Sequence, residues 1–470
     1  MNLEPVIGLE IHVQLATRTK MFCGCELSFG EEPNTRTCPV CLGMPGSLPV
    51  TNARAIHFGL MMGMALECEL APRSIFHRKN YFYPDLAKGY QISQYDIPLC
   101  TGGRLGDVRL HRIHLEEDAA KLVHLGESGR IHGSDASIVD YNRGGTPLAE
   151  IVTEPDLHSA EQAREWLNLL RVTLRQLGVS DVNMEEGSLR CDANVSVRPV
   201  GSTELGTKTE LKNMNSFRFL ERGINAEIER QTRLVEAGEP VAQETLHFDP
   251  VTGRLSPLRS KEEAHDYRYF PEPDLVPVAP TDEMLEAARA AIPELPAARA
   301  ERYERTRGLA VDSARLFAYA PEWGDFFEAA ADAGSAEPRV VANWVTELRG
   351  RGGSPERVEP AALAKLAELV EARTVTAGNG RVVLDRMIAD GGDPAEIVAR
   401  EDLGAMGDAS ALEDVVVRVI EQNPDVVERI RGGNAKAMGA LMGPIMRETK
   451  GKADGGEVNR LIREKLGVQA

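Results

Sequence analysis

The chain has no run of 18 apolar residues, which excludes a membrane-spanning helix. Its opening, MNLEPVIGLEIHVQL, lacks the basic flank and the apolar stretch with cleavage site that mark a secretory signal. Aromatic residues are only 5% of the whole, so a local concentration of them carries information. No GxxxxGK[ST] phosphate loop occurs. The nearest approach, residues 201–208 (GSTELGTK), has its lysine one position late and strand-like runs on both sides, where a phosphate loop leads into a helix. A dinucleotide fingerprint and a GxSxG elbow are also missing. Seven cysteines, an odd number with no signal segment, read as reduced thiols or metal ligands and place the chain in the cytoplasm.

Positive charge is scarce too: 54 Lys and Arg stand against 72 Asp and Glu, a net charge of -18. Such a chain does not coat nucleic acid nonspecifically, so any RNA contact must come from a local basic region. Residues 431–470 are one, with 8 Lys or Arg against 4 Asp or Glu.

At about 150 residues per domain, 470 residues suggest roughly three domains. Residues 1–290 read as strand-rich, with short alternating runs broken by Gly, Pro, Asn and Asp. Four prolines within residues 270–280 (FPEPDLVPVAP) suit an extended edge or linker. From about residue 281, Ala, Glu, Arg and Leu dominate and the apolar spacing becomes three and four, as in PAALAKLAELVEAR. Asp393-Pro394 and Asn423-Pro424 mark helix starts, and Gly432-Gly433 a helix stop. The polar stretch REDLG suggests a further boundary near residue 400.

Several apolar strands carry a polar second face. In VIGLEIHVQL, Ile7, Leu9, Ile11, Val13 and Leu15 point one way, and Glu10, His12 and Gln14 the other. In SLRCDANVSVR, Arg190, Asp192, Asn194, Ser196 and Arg198 oppose an apolar face, and GTKTELKN sets Lys208, Glu210 and Lys212 together. These two runs are spaced to pair as a hairpin, with Asp192 and Glu210 on one face. His114, Glu116 and Glu117 end a basic alternating run, and Glu150 interrupts the apolar PLAEIV. Glu10, His12, Glu116, Glu117, Glu150, Asp192 and Glu210 are therefore candidates for one carboxylate-rich basin suited to Mg²⁺ or Mn²⁺. Solvated sheet faces are the plain alternative.

Cys23-Gly-Cys25, twelve residues and Cys38-Pro-Val-Cys41 supply four soft ligands, the set that Zn²⁺ takes in structural sites. Ordinary buried thiols are the alternative, and Cys68, Cys100 and Cys191 read that way. Residues 78–96 hold Tyr81, Phe82, Tyr83, Tyr90 and Tyr95 interleaved with Arg78, Lys79 and Lys88. Residues 266–274 (DYRYFPEPD) repeat the pattern, with Arg268 between two tyrosines. Cations among aromatics suit an unpaired base or a nucleotide, or a packed sheet with surface lysines.

VIGLEIHVQL, TKMFCGCELSFG, CPVCLGMPGSLPV, RKNYFYPDLAKGYQISQYD, EEDAAK, MEEGSLRCDANVSVRP and DYRYFPEPDL together resemble the B-subunit family of the tRNA-dependent aspartyl/glutamyl amidotransferases. The likeness runs over about residues 3–280 and resumes in IRGGNAKAMGALMGPIMRETKGKAD. Ala87 stands where the family has proline, and Ala120 where it commonly has glycine.

The resemblance implies an α+β fold. Its cradle-shaped catalytic domain, a mixed or antiparallel sheet, spans residues 1–292, an all-α domain 293–400, and a small helical tail that meets tRNA 401–470. It implies ATP-dependent phosphorylation of the side-chain carboxylate of misacylated Glu-tRNA(Gln) or Asp-tRNA(Asn), followed by amidation. No amidase-like Gly-Ser-Ser-Gly run and no glutaminase-like cysteine is present, so another chain must make any ammonia used; the resemblance implies that an A subunit releases it from glutamine and that a small C subunit ties A and B together.

By the same resemblance, His12, Glu150 and one or both of Glu116 and Glu117 hold a metal, and Glu10, Asp192 and Glu210 hold or approach a second. Arg78, Lys79, Lys88 and Arg190 are the nucleotide-binding cations, with Lys79 and Lys88 near the ammonia route. Cys23, Cys25, Cys38 and Cys41 match a zinc set, and Lys436, Arg447, Lys450 and Lys452 would track tRNA phosphates. A zinc-stapled tRNA-binding module without chemistry, and a metal-dependent hydrolase, remain as rival readings.

Overall fold

The structure is a computed structural model that describes residues 2–28, 30–125, 136–212, 214–259, 267–406, 409–432 and 434–468. The chain divides into two compact units, Met1–Ala297 and Ala298–Ala470. No described helix is long and apolar enough to cross a membrane.

The first unit is built on a 13-stranded sheet. In chain order the strands are β1 (Leu3–Gln14), β2 (Glu69–Leu70), β3 (His77–Asn80), β4 (Tyr90–Ser93), β5 (Cys100–Thr101), β6 (Arg104–Leu105) and β7 (Val108–Glu117). Then come β8 (Lys121–Leu125) and β9 (Ala136–Asp140), which form a separate hairpin. The rest are β10 (Pro147–Thr153), β11 (Leu189–Pro199), β12 (Thr209–Lys212), β13 (Thr245–Asp249), β14 (Arg254–Arg259) and β15 (Phe270–Pro271). The main path runs β14-β13-β12-β11-β1-β10-β7-β4-β3-β15; β5 and β6 pair with β7, and β2 pairs with β5. Its pairings are antiparallel except β12 with β13, so the sheet is mixed.

The alternation in β1 sets the sheet's two faces. Ile7, Leu9, Ile11 and Val13 are at most 1% exposed, while Glu10, His12 and Gln14 are only half-buried. Each fully buried aliphatic side chain contributes about 1.5–3 kcal/mol. The apolar face packs with four helices: α1 (Ala53–Ala65), α2 (Ala160–Gln176), α3 (Phe217–Glu236) and α4 (Asp282–Ala290). Asn52, Ser159, Ser216 and Thr281 cap them with side-chain oxygens. At Gly63 of α1 an added Cβ would come within 2.5 Å of Cys100 Sγ, so glycine lets that helix lie close against its neighbours.

The expected hairpin of β11 and β12 forms, with Asn194 opposite Glu210. The proline-rich 270–280 segment is an extended edge: β15 pairs with β3, and Val278 bridges Ser74.

The second unit is helical, and Pro321, Pro338, Pro360, Pro394 and Pro424 each open a helix. Its buried apolar residues fall into two clusters, one between Ala300 and Ile397 and one between Leu412 and Leu466. Asp393 caps its helix as expected, accepting from Ala395 and Glu396 N–H. Asn423 differs: it holds the cap position, but its amide donates to Val419 O, the carbonyl of the preceding turn. Gly432 ends the Pro424–Arg431 helix, and Gly433 lies outside the described residues.

Candidate active site and cysteine cluster

Strand register brings the distant acidic residues together. His12 pairs with Arg190 on one side and with Glu150 on the other, and Glu150 pairs with His114. One step along, Lys212 and Asp192 flank the same polar face beside Glu10, with Asp192 directly opposite Glu10. On the other side Gln14, Leu148, Glu116 and Ser93 form the next row. Directly paired residues of a sheet share a face, so these side chains line one surface.

Ligand atoms of His12, Glu116 and Glu150 lie within 4.8 Å of one another, and so do those of Glu10, His12 and Asp192. His12 Nε2 is 3.3 Å from Glu150 Oε2 and 3.9 Å from Glu10 Oε1. Burial pushes the His12 imidazole down, but the bond to Glu150 and the charges of Glu150, Glu116 and Glu10 raise it to about 9. Burial and the Glu150 charge push the Glu10 carboxyl up. Burial also opposes ionisation of Glu150, yet His114 and His12 hold it well below the usual carboxylate range. His114 Nε2 lies 3.6 Å from both Glu116 and Glu150. Lys79 adds positive charge: burial would lower its ammonium, but Glu116, Tyr269 and Glu150 raise it.

This face is short of partners. Of nine described buried side-chain polar atoms without one, five belong to Arg112, His114, Glu116, Arg190 and Asn194. Oxygen donors with one imidazole suit a hard divalent ion such as Mg²⁺ or Mn²⁺, and Glu116 Oε2, 3.6 Å from His114 Nε2 and without a hydrogen bond, could serve as one of them.

The two aromatic segments singled out in the sequence meet beside Lys79. Tyr95 stacks on Tyr269 with centroids 4.1 Å apart, Tyr81 and Tyr267 meet edge-on, and Lys79 Nζ lies 4.8 Å from the centre of the Tyr267 ring. Asn80 fixes the second segment by donating to Tyr267 and Arg268 carbonyls. Asp266, first residue of that segment, lies outside the described residues.

Not every candidate joins the basin. Glu117 follows Glu116 directly and so points to the other side of β7, where it pairs with Lys88 and accepts from Ile92 N–H. Arg78 also alternates away from Lys79; Glu272 binds it through two hydrogen bonds of 2.7 and 2.9 Å, and Asp274 adds a third. The structure thus sets Arg78, Lys88 and Glu117 apart from the two candidate ligand groups and keeps Lys79 and Arg190 with them. Glu210 shares the polar face but sits outside both ligand groups, bonded to Thr245 and near Lys212. Sequence reasoning misses Lys20 and Asp118: Lys20 is 1% exposed beside Cys41, and Asp118 is 4% exposed beside Arg190. In EEDAAK only the two glutamates stand out as candidate ligands.

Cys23, Cys25, Cys38 and Cys41 bring four sulfurs within 4.8 Å, a cluster compatible with a structural metal. The Cys41 thiol is lowered to about 4 by a hydrogen bond from Cys23 and, against burial, by the Cys38 backbone and Lys20. The Cys23 thiol is correspondingly pushed up. Cys100 and Cys191 are buried core thiols, and Cys68 packs against the same core. A pocket lined by Lys20, Cys41, Lys88 and Glu117 lies between this cluster and the Lys88–Glu117 pair.

In the tail, Lys436, Arg447 and Lys450 have no ion pair among the described residues, whereas Lys452 pairs with Asp402 at 2.6 Å.

The fold and the polar sheet face fit a known class: the GatB/GatE catalytic domain model matches residues 5–286, and the GatB domain model matches residues 325–466. The chain belongs to this family. It is 49% identical over 484 aligned positions to the B subunit of the aspartyl/glutamyl-tRNA(Asn/Gln) amidotransferase of Anaeromyxobacter sp. strain K, with 99% of each chain covered. The proteins of the same name from Geobacter sulfurreducens and Persephonella marina are 48% and 46% identical, with 99% of this chain and 100% of each relative covered. The resemblance read from the motifs therefore holds over the whole length.

Proposed function

We propose that this chain is the activating and amidating subunit of a tRNA-dependent amidotransferase. It phosphorylates the side-chain carboxylate of misacylated Glu-tRNA(Gln) or Asp-tRNA(Asn) with ATP, and ammonia then replaces the phosphate. A carboxylate resists ammonia because its charge repels the nucleophile and oxide leaves badly; a mixed anhydride with phosphate removes both obstacles. The reading is carried by the basin, where acidic residues from four strands converge with five buried polar atoms that lack a hydrogen bond on one face. The names of the relatives support the choice of substrate.

His12, Glu116 and Glu150 would hold one divalent ion, and Glu10 and Asp192, with Glu210 nearby, would hold or approach another. Such an ion supplies positive charge that neutralises phosphoryl oxygens. Lys79 brings a fixed ammonium to the same edge, and Arg190 a guanidinium beside His12. His12 must give up its proton to become a ligand. Tyr81, Tyr267 and Tyr269 border Lys79 and would guide the nucleotide or the acceptor end of the tRNA. Lys88 and Glu117, on the reverse face, belong to the route by which ammonia arrives. Cys23, Cys25, Cys38 and Cys41 would hold Zn²⁺, saturated by four thiolates and so structural.

The two separate helical cores support a division near residue 400 into a 293–400 domain and a 401–470 tail. Lys436, Arg447, Lys450 and Lys452 of that tail would track tRNA phosphates. An amidase A subunit would supply ammonia and a small C subunit would join the two, in the cytoplasm where acylated tRNA is used. The assembled complex tests this with ammonium chloride as nitrogen donor: Asp192→Ala should stop amide formation while glutaminase activity persists. Undiminished Gln-tRNA or Asn-tRNA formation would remove Asp192 from the role. Phosphate release without any acyl-tRNA dependence would point instead to a hydrolase.

A further inference from the structure

Asp118 follows the last residue of β7 and is immobilised from every side. Its N–H donates to Thr146 O at 2.8 Å, and its carbonyl accepts from Gly145 N–H at 2.9 Å. Its Oδ1 accepts from Ala119 N–H at 2.9 Å. Arg143 clamps the carbonyls of Ala119 and Ala120, with Nε 3.8 Å from Asp118 Oδ2. That Oδ2 accepts from Gln14 Nε2 at 2.7 Å and from Arg190 Nη2 at 2.9 Å.

The two side chains that Asp118 holds flank His12. Gln14 is the next residue on the same face of β1, and Arg190 stands directly opposite His12 on β11. A guanidinium has five N–H donors in a rigid plane, so a carboxylate on one of them fixes where the others aim. Arg190 is far from spent: its Nε is buried without a partner, and the side chain is 37% exposed.

We infer that Asp118 is a positioning residue, which locks Arg190 so that its remaining N–H groups address an oxyanion beside His12. The oxyanion is either the side-chain carboxylate of the acyl group or the phosphoryl group that it receives, so the inference rests on the function proposed above. A carboxylate that merely shaped the turn around residues 118–120 would act independently of Arg190.

The test uses the assembled complex with ammonium chloride and compares Asp118→Asn, Arg190→Gln and the double variant. Asp118→Asn keeps shape and volume, and each single variant is expected to impair the same kinetic parameter, a raised KM or a lowered kcat, by about tenfold or more. The double variant is expected within about twofold of Arg190→Gln alone, because residues that act as a unit are not additive. A raised KM for acyl-tRNA identifies the carboxylate as the anion; a lowered kcat for acyl-tRNA-dependent phosphate release, with that KM unchanged, identifies the phosphoryl group. Losses that multiply in the double variant, or Asp118→Asn at the unaltered rate, would overturn the inference. So would a lowered Tm whose loss of rate recurs in the Arg190→Gln background. Failure of the underlying reading shows separately, as an unaltered complex that makes no ATP-dependent amide at all.

Discussion

His12 and Glu150 face each other on adjacent antiparallel strands, with Nε2 and Oε2 3.3 Å apart. Their contact lies where the two ligand groups share a residue, because His12 belongs to both. Removing one partner leaves a buried group of opposite charge uncompensated.

Glu150→Gln should therefore weaken Mn²⁺ binding by about tenfold or more, with glutaminase activity in the complex unchanged. Calorimetric titration of Mn²⁺ into the complex checks this. Unaltered affinity would take Glu150 out of the ligand set.

Cys38→Ser should lower zinc content below one ion per chain and reduce the Tm of the first unit. Four thiolates close a structural site, and its binding energy is folding energy. Metal analysis by mass spectrometry alongside a thermal melt reads both. Full zinc occupancy in the variant would contradict the assignment.

In the second unit, Glu328 accepts from Tyr303 Oη at 2.6 Å and from Arg299 and Arg302 Nη2 at 2.8 Å. Burial pushes its carboxyl up, but these three donors hold it near about 2, below the usual 4.5. The folded state thus binds that proton more weakly than the unfolded chain. The stabilisation is fully present above about pH 4.5 and fades as pH falls toward 2. Glu328→Gln should cost about 1–3 kcal/mol at neutral pH and less in acid. Urea melts at pH 7 and pH 3 measure the difference; an equal loss at both would place the effect outside charge.

Replacing Lys436, Arg447 and Lys450 by Ala should weaken tRNA binding while ammonia-dependent chemistry at saturating tRNA continues. The slope of log affinity against log salt should fall by about 1 for each phosphate that is no longer neutralised. Filter binding across a salt series gives that slope. An unchanged slope would remove the tail from the tRNA interface.

The polar faces were legible because alternation in a single strand separates Glu10 and His12 from the core residues between them. Convergence was not, since it depends on register: only pairing shows that Glu150 lies between His12 and His114. Glu116 and Glu117 look alike in sequence, and the pleat sends them to opposite faces. Asn423 shows the limit of cap reading, because its side chain turned to a carbonyl of the preceding helix. Lys20 and Asp118 carry no local signal, since Cys41 and Tyr141 beside Lys20 and Arg190 beside Asp118 lie 21 to 121 residues away. The cysteine cluster needed little beyond its spacing, because four soft ligands within a short loop have few other uses.

The central claim is that the acyl side chain is phosphorylated in this basin before ammonia attacks. Glu-tRNA carrying ¹⁸O in both side-chain carboxylate oxygens tests it most directly, with ATP, Mg²⁺ and ammonium chloride supplied to the complex. One labelled oxygen should appear in inorganic phosphate for every amide formed, and the Glu150→Gln variant should form neither. Amide formation that releases unlabelled phosphate would contradict the account.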